Sequence, residues 1–448
     1  MTQFADIVPF PGACAGSIRV PGSKSISNRA LLLAALCGGK VALSGILRSD
    51  DVDLMVCALE SLGLGIEANE DKTAVVVRGC AGAFPVKQGE IYVGNAGTVA
   101  RFLTTLMAMQ RGSVYEMDGS EAMRGRPMGE LIDFLIKNGA RFTFAKENGC
   151  FPFTIVSSGL EDNVRELNAT KSSQVISAAL MVAPLLSNQY KLGFKGGTVS
   201  VPFVDMTLAM MRSFSPEGTF DYELRSESAS FGSQGYREDD FSYEIEPDAT
   251  AASYFMTLPL AVGGRCRLEG VFEKMLQGDS VYAGVLREVG LEVRATQVGI
   301  ECTFADACRG GDFDFNDFSD TFLSLAAVSP LLSGPLTIRG IAHTRKQETD
   351  RVAGMANELR KLGQGVEESE DRLTIKPNLN KLKELGRNGL EIETYEDHRF
   401  AMSFSILGSC DLLEDGRSWL RIKNPLCCAK TYPSFFEDLE LLRKSSTK

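Results

Sequence analysis

Two interleaved series of helix-like segments recur every 72–79 residues, and this period constrains the fold more than any other feature of the chain. One series is amphipathic, ends at a glycine and runs on into a strand-like stretch. ALESLGLGIE turns at Gly63, LIDFLIKNGARFTF at Gly139, MMRSFSPEGTFDY at Gly218, VLREVGLEV at Gly290 and ELRKLGQGVE at Gly363, and SFFEDLELLRK closes the series. A glycine just past a helix accepts the left-handed backbone that ends it. The second series is apolar nearly all round, the mark of a buried helix. Its members begin at Ser25, Gly97, Ser172, Asp248, Asp320 and Asp397. Strand-like runs such as KTAVVVRG, LTIRG and DRLTIKP lie between. Chance placement of ordinary elements would not keep two series in step. The chain of 448 residues therefore reads as α/β (α+β), with a strand–helix–strand–helix–strands unit used six times. Three units apiece make two domains of ordinary size.

Ser, Thr or Asp stands at or near the start of each buried helix, as capping requires, and for Asp248 capping is explanation enough. It does not explain the cations alongside. Lys24 precedes Ser25 and Arg29 follows it; Arg101 follows Gly97 and Thr98; Lys171 precedes Ser172, Ser173 and Gln174; His398 and Arg399 follow Asp397. A helix N-terminus is the positive end of the dipole, so a cation there is unfavourable until an anion arrives. The repetition predicts phosphate or carboxylate ligands. Loops add Arg124 and Arg126 in MRGRPMG, Lys430 in NPLCCAKTYP, and His343, Arg345, Lys346, Glu348, Asp350 and Arg351 in HTRKQETDR. Arg345 and Lys346 are evenly balanced between solvated surface and ligand contact. Arg126, Arg351, Arg399 and Lys430 are flanked by Pro, Gly or apolar residues and read as ligand groups, arginine's planar fork being suited to carboxylate and phosphate. Asp320 at the mouth of an apolar helix is a candidate base. Lys24 is a candidate acid or phosphate contact, and Glu348 a candidate proton carrier.

Composition narrows the class. A net charge of −11 disfavours nucleic acid and acidic membrane surfaces as partners. No apolar run reaches the roughly 20 residues that span a bilayer. The opening MTQFADIVPF has no Lys or Arg and does not read as a targeting peptide. Eleven scattered cysteines without a CxxC pair fit a reducing, cytoplasmic setting. Two histidines exclude a histidine-rich metal site. There is no G-x-S-x-G elbow, P-loop or dinucleotide fingerprint.

Taken in order, PGSKSISNRALLLAAL, VGNAGTVARFL, RGRPMG, SSQVISAALMVAPLL, QETDRVAGMANELRKLG, YEDHRFAMSFS and CAKTYPSFF closely resemble the EPSP synthase (3-phosphoshikimate 1-carboxyvinyltransferase) family of enolpyruvyl transferases, from about Pro21 to about Phe436. The resemblance implies two similar domains, each of three β-α-β-α-β-β units around buried helices, with the active site in the interdomain cleft. It implies boundaries at residues 23–245 for one domain and 1–22 plus 246–448 for the other. The implied reaction is attack of the 5-hydroxyl of shikimate 3-phosphate on C2 of phosphoenolpyruvate as C3 is protonated, followed by loss of phosphate and a proton. No metal or organic cofactor is implied, and a monomer is the default.

Carried over position by position, Lys24, Asn95, Gly97, Thr98, Arg126, Gln174, Arg351, Arg399 and Lys430 would hold phosphoenolpyruvate. Ser25, Arg29, Ser172, Ser173, Gln174, Ser200, Asp320, His343 and Gln347 would hold shikimate 3-phosphate. Asp320 would take the hydroxyl proton, and Lys24 or Glu348 would serve C3. The chain departs from the family where Gln347 replaces a usual lysine, His343 a common asparagine, Phe203 a common tyrosine and Phe102 a frequent proline. The changes at 203, 343 and 347 fall on the acceptor side, and His343 is expected to donate or accept a hydrogen bond there. Phe102 bears on sensitivity to glyphosate, which competes with phosphoenolpyruvate in this family. Another shikimate-like acceptor, or a catalytically silent ligand-binding relative, remains an open alternative at this level.

Overall fold

A computed structural model describes residues 4–168, 172–195, 201–305 and 307–446. Ser200 and Lys171 lie outside the described residues. The chain divides into two compact units: a central unit, Gly22–Ile245, and a terminal unit, Met1–Pro21 with Glu246–Lys448.

The central unit carries α1 (Lys24–Leu36), α2 (Asp50–Ser61), α3 (Gly97–Met109), the single turn α4 (Glu121–Arg124), α5 (Gly129–Lys137), α6 (Ser173–Val182) and α7 (Val201–Ser213). Its three sheets share one topology. In each, a parallel pair is extended by an antiparallel hairpin, in the strand orders 241–244/40–44/74–78/66–68, 88–92/113–118/153–157/141–144 and 166–168/189–195/228–232/221–225. The helices α1, α3 and α6 are the apolar series, and they are buried almost throughout. Leu31, Leu32 and Leu33 of α1 are all fully buried, each worth about 1.5–3 kcal/mol of transfer free energy. The amphipathic α2 and α5 bury one side only.

The terminal unit repeats the plan with α8 (Ala249–Val262), α9 (Tyr282–Val289), α10 (Phe322–Val328), α11 (Arg351–Lys361), α12 (Leu379–Gly386), α13 (His398–Gly408) and α14 (Phe435–Ser445). Two sheets keep the four-strand order, 14–18/264–269/299–304/291–296 and 312–314/336–339/372–376/365–368. The third has three strands, Leu390–Ile392 parallel to Leu420–Lys423, with Phe4–Asp6 antiparallel on the far side. Here α8, α10 and α13 pack together as the apolar core.

The expected helix-ending glycines Gly63, Gly139, Gly218, Gly290 and Gly363 all have positive φ, from 72° to 122°. Asp248 caps α8, accepting from the N–H groups of Thr250 and Ala251. One expectation shifts. Asp320 does not begin a helix but sits in a 3-10 turn, Ser319–Thr321, ahead of α10. Its carboxylate is bonded to arginine side chains.

Candidate functional site

In the terminal unit, the starts of α11 and α13 and the turn at Ser319–Thr321 bring ionised groups into one network. Arg351, the first residue of α11, is buried to 1% exposure. Its Nε donates to Asp397 Oδ2 (2.7 Å), Nη1 to Asp320 Oδ1 (2.8 Å) and Nη2 to Glu348 Oε2 (2.7 Å). Arg399, the second residue of α13, donates through Nη2 to Asp320 Oδ2 (2.6 Å) and through Nη1 to Tyr254 Oη (3.3 Å). Its Nε is buried without a partner among the described residues. Lys430 Nζ donates to Glu348 Oε1 at 2.9 Å. Burial works against both guanidinium charges. The carboxylates outweigh it, chiefly Asp397, Glu348 and Asp320 at Arg351 and Asp320 at Arg399, so both cations are held above their usual range. Buried ion pairs persist only when each charge is met this closely.

The expectation of cations awaiting an outside anion is therefore corrected here. Arg351, Arg399 and Lys430 are already met by Asp320, Glu348 and Asp397. The signal missed was tertiary, because Asp397 lies 46 residues from Arg351 and Asp320 79 residues from Arg399. Tyr254, also unforeseen, orients Arg399. Gln347, expected against an acceptor, turns its Oε1 to Arg351 Nη1. His343 sits in the turn Ala342–Lys346 with Nε2 2.8 Å from Ser319 Oγ, and burial holds its pKa below the usual 6.5. Arg345 is neither solvated nor aimed at a ligand: it bonds Asp350 (2.9 Å) and Glu368 (3.1 Å) and ties its turn to the neighbouring hairpin.

In the central unit, α3 begins without a side-chain cap, leaving N–H groups at its positive end. Two guanidiniums stand there. Arg101 Nη1 donates to Gly97 O (2.9 Å) and Gln174 Oε1 (3.2 Å), and Arg126 Nη1 to Asn95 O (3.4 Å). Thr98 is buried beside them in sequence. Asn95, Gly97, Arg126 and Gln174 thus lie together with Arg101. A Cβ at Gly97 would lie 2.7 Å from Arg126 Nη2 and 2.9 Å from Arg101 Nη1. Gly97→Ala is expected to push these flexible ends aside, raising the KM for an anionic ligand about tenfold, equivalent to ~1.4 kcal/mol, while the melting temperature stays within a few degrees. An unchanged KM in steady-state kinetics would contradict this. Arg124, by contrast, is a structural group, bonded to both carboxylate oxygens of Asp118.

Arg29, on α1, is fully buried. Its Nε donates to Thr207 Oγ1 (2.8 Å), Nη1 to Ser25 O (3.0 Å) and Nη2 to Ser177 Oγ (3.0 Å). Its carbon Cζ lies 5.2 Å from the centre of the Phe102 ring. None of these partners is an anion, and burial pushes its pKa down to about 9. It remains charged at neutral pH, a cation held by hydroxyls and a π face. Ser172 caps α6 through Gln174 N (3.3 Å), and Ser173 is buried in its first turn. Lys24, the first residue of α1, pairs with Asp51 at 3.5 Å. The described residues hold no cluster of His, Cys, Asp and Glu that would bind a metal ion, and no helix among them is long and apolar enough to cross a membrane.

The sequence matches the family described as EPSP synthase (3-phosphoshikimate 1-carboxyvinyltransferase) over residues 9–439. It is 47% identical to the 3-phosphoshikimate 1-carboxyvinyltransferase of Opitutus terrae, covering 98% of this chain and 97% of that one. It is 37% identical to the enzyme of that name from Nostoc punctiforme, covering 94% of each. An EPSP synthase from Acinetobacter baumannii has the same fold, with a TM-score of 0.77 at 23% identity over 99% of this chain and 98% of that one. The enolpyruvyl transferase NikO from Streptomyces tendae gives 0.72 at 16% identity, covering 97% and 96%. By its sequence along nearly its whole length, and by its repeated fold, this chain belongs to the EPSP synthase (3-phosphoshikimate 1-carboxyvinyltransferase) family.

Proposed function

We propose that the chain transfers the enolpyruvyl group of phosphoenolpyruvate to the 5-hydroxyl of shikimate 3-phosphate, releasing phosphate. The observation that carries this reading is the terminal-unit network, where Arg351, Arg399 and Lys430 are interlaced with Asp320 and Glu348. The anion-holding groups of the expected reaction and its proton-transfer groups are in direct contact.

In this reading the carboxylate and phosphate of phosphoenolpyruvate take over donors now held by Asp320 and Glu348. That exchange of partners takes place on binding, so the donors are in place before the chemical step. An arginine that turns to the ligand releases an oxygen of Asp320, which then accepts the hydroxyl proton as the O5–C2 bond forms. Lys24, whose side chain is a hydrogen donor, supplies a proton to C3. In the second step the C2–phosphate bond breaks, and C3 returns a proton to Glu348 or Lys24. Arg29 and the hydroxyls around it offer a cation to the acceptor's negative groups. The two substrates are small molecules, and the chemistry draws on no metal or organic cofactor. We place this activity in the cytoplasm.

Phosphate release by the purified protein tests the reading. Release is expected only when phosphoenolpyruvate and shikimate 3-phosphate are both present. Release without the acceptor, or none with both, would overturn it.

A further inference from the structure

Among the described residues, three cations in the first turn of a helix are each met by an acid from another element: Arg351, Arg399 and Lys24. In the terminal unit Arg351 and Arg399 are met by Asp320, and Arg351 also by Asp397. In the central unit the corresponding cation is Lys24, at the positive end of α1, and the acid is Asp51. Asp51 is the second residue of α2, where the helix dipole favours a carboxylate. It differs from the other two acids of that first turn. Asp50 and Asp53 face solvent, whereas Asp51 is 4% exposed. It does not take the place of the helix cap: Ser49, at the cap position, makes no side-chain cap bond and its Oγ is buried without a partner among the described residues. A carboxylate is seldom buried unless it is paired, and Asp51 Oδ2 lies 3.5 Å from Lys24 Nζ, whose side chain is itself only 16% exposed.

We propose that Asp51 is a positioning residue for the transfer reaction, holding the ammonium of Lys24 in the place from which it delivers its proton. The inference rests on the reading above, in which Lys24 serves C3. A lysine ammonium rides on a flexible four-carbon stem, and a proton donor out of place by about 1 Å loses on the order of 10²-fold in rate. Asp51 supplies what the stem lacks, a fixed partner on a rigid helix start.

A double-mutant cycle on the full-length protein tests this. Asp51→Asn is expected to lower kcat about 10–100-fold with the KM of each substrate changed less than about threefold. In a Lys24→Ala background the same change is expected to lower kcat no further, because there is no ammonium left to position. A purely structural role would add its cost in both backgrounds, and that additive result would overturn the proposal, as would a kcat within twofold of the parent. If Asp51→Asn fails to fold, as judged by circular dichroism melting, Asp51→Ser takes its place in the cycle with the same two outcomes. Absence of transfer by the unsubstituted protein would instead strike at the reading of function itself.

Discussion

Arg351→Lys is expected to lower kcat/KM by about 10³-fold while leaving the protein folded. The guanidinium of Arg351 reaches three carboxylates, of Asp397, Asp320 and Glu348, at 2.7–2.8 Å through three different nitrogens. An ammonium keeps the charge but is a point donor, and it cannot reproduce that fork. Preorganised donors of this kind are worth on the order of 10²–10³-fold each, and here the same group also orders Asp320 and Glu348. Arg351→Ala goes further. It leaves the buried Asp397 carboxylate without that cation, and breaking one side of a buried ion pair costs about 3–5 kcal/mol. Urea denaturation alongside steady-state kinetics separates the two effects. A lysine variant with activity within tenfold of the parent would show that the fork is dispensable.

Asp279→Asn is expected to stabilise the protein above neutral pH and to make no difference in acid. Asp279 is 1% exposed, in the turn Gly278–Val281 just before α9. Oδ1 accepts from Thr250 Oγ1 at 3.0 Å, and Oδ2 is buried with no partner among the described residues. Burial, reinforced by the charge of Asp320 and opposed by Arg399, pushes its pKa up to about 7 from the usual 3.8. A carboxyl whose folded pKa is raised contributes its full stability below its unfolded value and loses it as pH climbs through the folded one. The loss runs between about 3.8 and 7, at most ~1.4 kcal/mol per pH unit. Asparagine keeps the acceptor for Thr250 and never ionises. Its advantage is therefore expected to grow between about pH 4 and 7 and to level off at no more than ~4 kcal/mol above that. Urea melts across this range check it, and a pH-independent difference would contradict the assignment.

Much of the architecture could be read from the chain. The period appears because each unit must bury one apolar helix and end one amphipathic helix. Both demands leave local marks: unbroken apolar runs such as ALLLAAL, and glycines such as Gly290, whose φ of 122° ordinary residues rarely adopt. Sheet partners were less legible. Phe241–Glu244 lies parallel to Lys40–Ser44, and nothing in either segment names the other, because the pairing is fixed by how the unit closes on itself.

The site divides along the same line. Arg399 and Gly97 stand out because a cation at a buried helix start, and a glycine beside such cations, violate local rules, while Arg351 and Lys430 stand out as loop cations flanked by Pro, Gly or apolar residues. Asp397, Asp51 and Tyr254 obey local rules. Asp397 reads as an ordinary cap, which it also is, accepting from Arg399 N at 2.9 Å. Asp51 reads as an ordinary acid in a first turn. Their second role exists only once distant segments meet. Gln347 is a mixed case. Its identity departs from the family pattern in the sequence itself, but its direction, toward Arg351, exists only in three dimensions.

The central claim is that an enolpyruvyl group moves by addition and elimination between two small anions. The most direct measurement is the mass of shikimate 3-phosphate after incubation with the protein and phosphoenolpyruvate in D2O. The acceptor is expected to gain one enolpyruvyl group, with deuterium in its new methylene carbon, because C3 takes a solvent-exchangeable proton before losing one. An acceptor of unchanged mass, or a gain without deuterium, would contradict the account.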